Sequence, residues 1–123
     1  MPLTVLVVED DDSIREMIGL SLASADHASV AAANGEEALR LLETLSPDLI
    51  LLDLRMPVVD GVEFMRRYRE SARRVPVVLL TAGRDRGDAG ELGTAGVIEK
   101  PFDVDDLIAT VERVAQGREP AAL

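Results

Sequence analysis

Residues 49–57 read LILLDLRMP, and a single carboxylate, Asp53, interrupts one of the most apolar stretches of the chain. An unpaired buried charge costs several kcal/mol or is driven neutral, so Asp53 requires water, a partner or a chemical role. The run before it, Leu49 to Leu52, is short and continuously apolar, the pattern of a strand covered on both faces. Further runs of strand length are Leu3 to Val8, Ala28 to Ala33, Val75 to Leu80 and Gly96 to Ile98, most of them rich in Val, Leu and Ile. Between them apolar residues recur at helical spacing: Ile14, Met17, Ile18 and Leu22; Ala38, Leu41, Leu42 and Leu45; Val62, Met65 and Tyr68; Leu107, Ile108, Val111, Val114 and Ala115.

Strand and helix therefore alternate with short connections. With right-handed crossovers this predicts an α/β fold, a doubly wound five-stranded parallel sheet of order 2-1-3-4-5 flanked by helices on both faces. In such a fold the ligand lies at the carboxyl ends of the strands, where the first and third are neighbours. Asp53 is thus the point at which a buried strand surfaces.

Other strands end at the same edge in Glu9-Asp10-Asp11-Asp12, Thr81-Ala82-Gly83 and Glu99-Lys100-Pro101. Adjacent strands lie about 4.8 Å apart, so these termini converge on a patch that one small ligand covers. Carboxylates held so close repel unless one is protonated or a cation neutralises them, and a few carboxylate oxygens with the remaining positions left to water and phosphate suit Mg²⁺. The charges of Glu9, Asp10 and Asp53 are balanced by a divalent ion together with Lys100. Such a site can run in-line phosphoryl transfer onto a carboxylate, with Asp53 as nucleophile and Lys100 neutralising developing charge. The Thr81 hydroxyl and the Ala82 backbone N–H are placed to hold a phosphoryl oxygen. The only histidine, His27, lies at the opposite edge of the sheet and reads as a bystander, so any phosphohistidine donor belongs to another protein.

Composition narrows the function further. A length of 123 residues makes one domain, assigned to residues 1–117, and GREPAAL from Gly117 reads as a helix stop followed by a tail or linker at 118–123. There is no Cys, which excludes disulfides and thiol catalysis. No apolar run approaches the roughly 20 residues that span a bilayer, and Met1-Pro2-Leu3 leads straight into a strand, so a cytoplasmic location is expected. A net charge of −10 and 2% aromatics argue against nucleic acid and anionic membranes as ligands of this domain. No GxxxxGK[ST] occurs, and Gly90, Gly93 and Gly96 do not make the dinucleotide fingerprint.

The motifs VVEDD (7–11), LLDLRMPVVDG (51–61), LLTAG (79–83) and EKPF (99–102), in this order and spacing, resemble the receiver domain of two-component response regulators over essentially the whole chain. The resemblance implies that Asp53 is the phosphoacceptor and that Asp10 and Asp53 ligate Mg²⁺ directly with the Arg55 carbonyl. It also implies that Glu9 contributes through water, that Thr81 and Lys100 read the phosphorylated state, and that the Lys100–Pro101 bond is cis. A sensor histidine kinase or phosphotransfer protein would be the donor. An output domain, an effector or a second copy would meet the surface of the fourth helix, fifth strand and last helix.

Two features depart from that family's pattern. Val97 stands where an aromatic is usual and cannot swing a ring between buried and exposed positions. The segment from Thr81 to Lys100 is about one helical turn (~3 residues) short and carries Gly83, Gly87, Gly90, Gly93 and Gly96. Each Gly within a helix costs about 1 kcal/mol relative to Ala, so the helix expected at 84–95 should be short, frayed or partly unwound, and phosphorylation should act by ordering it. Gly83 also leaves water access to a phosphoryl group held at Thr81, which favours a short-lived phosphoform.

Each residue has a plainer reading. Asp11 or Asp12 can cap the first helix, Phe102 and Tyr68 can be packing residues, and Arg66, Arg67, Arg69, Arg73 and Arg74 can form a solvated helix face. Asp10-Asp11-Asp12-Ser13-Ile14 faintly mimics the DxDx[TV] opening of haloacid dehalogenase-type phosphatases, but no late acidic motif follows Lys100 at a fifth strand end and there is no room for a cap over the substrate. A degenerate receiver used only for docking would not need the intact Asp53, Thr81 and Lys100.

Overall fold

A computed structural model of the chain describes residues 2–54, 61–70, 75–81 and 94–117. The elements follow in the order β1 (Thr4–Val8), α1 (Asp12–Ser24), β2 (Ala28–Ala32), α2 (Gly35–Leu41), β3 (Leu49–Asp53), α3 (Gly61–Arg69), β4 (Val77–Thr81), β5 (Gly96–Glu99) and α4 (Val104–Ala115). All strand pairs are parallel, in the order β2-β1-β3-β4-β5 that the alternation predicts. The glycine-rich segment 82–93, Arg55 and the tail 118–123 lie outside the described residues, as does the helix expected at 84–95, apart from Thr94 and Ala95.

The three central strands are buried throughout, apart from the first residue of β1, because helices cover both faces. Leu6, Val8, Ile50, Leu52 and Leu79 point to the side of α2 and α3, where Ala38, Phe64, Met65 and Tyr68 close over them. Val5, Val7, Leu49, Leu51, Val78 and Leu80 point the other way, onto Ile18, Leu22, Leu107, Val111 and Val114 of α1 and α4. The strand period of two thus sorts one apolar run into two cores. The edge strands differ from the expectation of burial on both faces: β2 is mostly exposed, and Val97 of β5 is exposed as well. An edge strand has a neighbour on one side only.

Side-chain caps fix the helix starts. Asp11, not Asp12, caps α1, accepting from the Ile14 N–H at 2.9 Å. Asn34 accepts from the Glu37 N–H at 2.9 Å while Glu37 Oε1 accepts from the N–H of Ala33, the residue before the cap, at 2.9 Å, a capping-box-like pair that opens α2. At the other end, Gly117 follows α4 with φ +74°, a left-handed conformation that glycine adopts without a Cβ penalty.

Some boundaries move for local reasons. α2 ends at Leu41 rather than running to Leu45: Glu43 and Thr44 bond back three residues in tight turns, and Pro47 disfavours helix at Ser46. β4 begins at Val77 because Val75 is engaged elsewhere, exchanging hydrogen bonds with the Tyr68 hydroxyl at 2.7 and 3.1 Å. In α3 the buried stripe is Gly61, Phe64, Met65 and Tyr68, and Val62 faces out. Arg66 and Arg67 lie on its solvated side, where hydrogen bonds from Arg66 and then Arg67 hold the Glu63 carboxyl down at about 2.

Gly61 brings α3 directly against the end of β3. A Cβ there would stand 2.7 Å from Leu54 Cα, 2.8 Å from the Leu54 carbonyl oxygen and 2.9 Å from that of Asp53. All three are backbone atoms and cannot rotate away. Gly61→Ala is therefore expected to lower the unfolding free energy by about 1–3 kcal/mol, measured by urea denaturation. An unchanged midpoint would mean that β3 and α3 separate freely at this point.

Candidate functional site

β1, β3 and β5 end at one edge of the sheet: the register sets Val8 beside Leu52, one residue before Glu9 and Asp53, and brings Ile98, two residues before Lys100, into line with Asp53 through Leu80. Glu9, Asp10 and Asp53 each present a carboxylate oxygen, and these oxygens all lie within 4.8 Å of one another. Glu9 is fully buried, Asp53 is 5% exposed, and Asp10 faces solvent. Among these three carboxylates, Asp10 is the one that faces solvent.

Each buried charge has a compensating contact. Lys100 Nζ donates to Glu9 Oε1 at 3.0 Å and lies 3.5 Å from Asp53 Oδ1. The other Glu9 oxygen accepts from the Asp11 N–H at 3.1 Å. Burial, the strongest single influence on Lys100, would lower its pKa, but the Glu9 hydrogen bond and the charges of Asp53 and Glu9 together raise it above the ordinary lysine value. Lys100 is accordingly a fixed cation at neutral pH. It offsets one of the three carboxylates, and the remainder matches a divalent ion with oxygen ligands.

Thr81 ends β4 beside Asp53, which pairs with Leu80; it is buried, and its carbonyl accepts from the Lys100 N–H at 2.7 Å. This bond ties the strand end carrying Thr81 to the residue carrying the cation. The Lys100–Pro101 peptide is cis, as the resemblance implies. Ala82 and the Arg55 carbonyl, both assigned to the site from the sequence, lie outside the described residues.

Two residues carry more than the sequence suggests. His27, away from the acidic group, has a structural place: it is buried, its Nδ1 accepts from the Leu3 N–H at 3.1 Å, and its Nε2 lies 2.8 Å from Glu112 Oε2. It ties β1 and β2 to α4 at the edge away from the acidic group. Arg15 reaches from α1 to the carbonyl of Glu9 at 2.9 Å and to Asp12 Oδ1 at 2.5 Å. The Asp12–Arg15 spacing of one helical turn was visible in the sequence, whereas the reach back to β1 was not.

Comparison with known proteins agrees with this geometry. The family model described as response regulator receiver domain matches residues 5–112. Regulatory protein AtoC of Escherichia coli is 36% identical over 115 residues, covering 91% of this chain and 25% of AtoC. Transcriptional regulatory protein AfsQ1 of Streptomyces coelicolor is 39% identical over 119 residues, 94% of this chain and 52% of AfsQ1. The chain thus spans about a quarter to a half of the curated relatives it matches. Among solved structures, the receiver domain of the Francisella response regulator 1452 superposes with a TM-score of 0.86 at 29% identity, covering 94% of this chain and 98% of that one. The chemotaxis response regulator CheY4 of Vibrio cholerae gives 0.84 at 32% identity, covering 93% and 99%. A parallel sheet in this strand order, an acidic group with a lysine at its carboxyl edge and a family match over most of the chain lead to one conclusion: the chain belongs to the response regulator receiver domain family of two-component systems.

Proposed function

We propose that the chain is a phosphorylation-dependent signalling switch in which Asp53 accepts a phosphoryl group from a phosphohistidine on a sensor histidine kinase or phosphotransfer protein. One observation carries this reading: three carboxylates meet within 4.8 Å at the strand edge with the Lys100 ammonium 3.0 Å from one and 3.5 Å from another. In the transfer, an Asp53 oxygen forms a bond to phosphorus, the phosphorus–nitrogen bond of the donor breaks, and the imidazole leaves with the electron pair. Lys100 faces the charge that develops on the phosphoryl oxygens, and Thr81 with the Ala82 N–H receives one of them.

Glu9, Asp10 and Asp53, with the Arg55 carbonyl, are the residues that would hold Mg²⁺. When bound, that ion supplies charge neutralisation and a coordination position for a phosphoryl oxygen. Burial of Glu9 and Asp53 keeps bulk water from screening these charges. The chain acts only on itself, through its own phosphorylation and the hydrolysis of the acyl phosphate.

The readout is a protein surface around the segment 84–95, β5 and α4, where an output domain reached through the tail at 118–123, an effector or a second copy would dock. On the donor side, Met17, Leu20 and Val104 are exposed along an open groove that starts at Ser13, next in the chain to the acidic turn. A cytoplasmic setting and protein partners fit the acidic surface, and no described helix is long and apolar enough to cross a membrane.

Incubation with a small phosphodonor such as acetyl phosphate tests the reading. In Mg²⁺ we expect one alkali- and hydroxylamine-labile phosphoryl group per chain, mapped to Asp53 by borohydride reduction and mass spectrometry, and none after chelation. Labelling that ignores Mg²⁺, or that maps to another residue, would overturn it.

A further inference from the structure

We infer that Arg15 is a positioning residue for the metal-binding carboxylates, an inference that rests on the reading of Glu9, Asp10 and Asp53 as Mg²⁺ ligands. The guanidinium closes a bridge across the acidic turn: Nη1 donates to the Glu9 carbonyl at 2.9 Å and Nη2 to Asp12 Oδ1 at 2.5 Å. The two anchor points flank Asp10 and Asp11. Within the bridge the Asp11 N–H donates to the Glu9 carboxylate at 3.1 Å, and the Asp11 side chain caps α1 through the Ile14 N–H. The Glu9 N–H is itself held by the Ala32 carbonyl at 3.1 Å. Arg15 thereby fixes the first helical turn to the strand end, and the backbone on which Glu9 and Asp10 stand has little freedom left.

The side chain is well suited to this task. It is 21% exposed, whereas Asp12 is 89% exposed, so the fork lies mainly along the protein and its partner lies in water. A planar guanidinium presents its donors in a rigid fork that holds two acceptors at a fixed separation, whereas an ammonium is a point charge on a flexible stem and fixes that separation less. Asp12 cancels the arginine charge, so the bridge is made without placing a net positive charge beside a cation site.

That last point makes the role separable from simple electrostatics. If Arg15 acted only through its charge, its removal would tighten Mg²⁺ binding, because a like charge near the ion disappears. If it acts by position, its removal weakens binding. Groups that orient metal ligands from behind are worth 10- to 100-fold in affinity.

The test measures Mg²⁺ affinity of the wild-type chain and of Arg15→Ala, Arg15→Gln and Arg15→Lys by amide chemical shifts, with folding checked by circular dichroism. We expect Arg15→Ala to bind about 10-fold more weakly, Arg15→Lys to lie between it and wild type, and the metal-free amide resonances of residues 10–12 to move in both. In phosphorylation by a small donor, the Mg²⁺ concentration for half-maximal rate should rise by the same factor while the rate at saturating Mg²⁺ is retained. Affinity in Arg15→Ala that equals or exceeds wild type overturns the role of Arg15 and leaves the metal reading standing. Should Arg15→Ala fail to fold, wild-type affinity in Arg15→Lys does the same. A wild-type protein whose Asp10 and Asp53 resonances ignore Mg²⁺ would instead overturn the metal reading, and the role of Arg15 with it.

Discussion

Asp53→Asn is expected to lose phosphorylation entirely and, in the absence of divalent ions, to unfold less readily than wild type. An amide nitrogen and carbonyl cannot make the acyl phosphate, and the other two carboxylates of the group are placed differently: Glu9 is fully buried with its oxygens on Lys100 and the Asp11 N–H, and Asp10 faces solvent. The stability gain follows from the charges. Asp53 lies within 4.8 Å of two other carboxylates and 3.5 Å from Lys100. At an effective permittivity of about 20, each repulsion is worth about 3.5 kcal/mol and the attraction nearly 5, so among these three charged neighbours repulsion outweighs attraction. Burial adds to the cost of the charge. Removing it should raise the unfolding free energy by about 1–2 kcal/mol after relaxation and screening. Mg²⁺ reverses the order, since a ligand at 100 times its Kd stabilises its own site by about 2.7 kcal/mol, and the variant has lost a ligand. Urea denaturation in chelator and in Mg²⁺ measures both halves. Residual labelling, or a variant less stable than wild type in chelator, would contradict this account.

Lys100→Met should have the opposite effect on stability. The substitution keeps most of the apolar stem but takes from the fully buried Glu9 its bond to Lys100, leaving the Asp11 N–H of the two contacts described above. Breaking a buried pair costs about 3–5 kcal/mol, and because Lys100 is itself partly solvated about 2 kcal/mol is expected. The sign with pH follows from its raised pKa: the contribution is complete below the unfolded value of 10.5 and is lost as pH rises through the higher folded value. Wild type and variant should therefore differ by a constant amount around neutrality and converge only at strongly alkaline pH. Mg²⁺ should narrow the gap, because it offsets the same negative charge. Phosphorylation by a small donor should slow by about 10²-fold, the scale of losing one donor to a developing oxyanion. A variant as stable and as readily phosphorylated as wild type would remove Lys100 from the site.

Strand and helix periods were legible because burial follows them directly. A run such as Leu49–Leu52 is continuous only where both faces are covered, and short connections leave few topologies. Asp53, Glu9, Asp10, Thr81 and Lys100 stood out because each ends an apolar run, where a polar side chain has no local reason to recur. Edge exposure at β2 and Val97 was harder to read, since an edge strand and a central strand can carry the same apolar letters. Phe64 and Val62 exchanged roles for a similar reason: Phe64 lies four residues before Tyr68 and stacks on it at 5.9 Å, a preference that spacing alone does not rank.

The sequence by itself determined the alternation of elements, their parallel order and the residue types gathered at one edge, because these depend on periodicity and on chain connectivity. Only the tertiary structure decided which oxygens meet, that Lys100 bonds Glu9 more closely than Asp53, that Arg15 reaches back across the turn, and that His27 ties the far edge to α4. Those contacts join residues up to 91 positions apart. Their geometry is set by how strand ends and helix starts pack in space, and linear spacing carries no record of it.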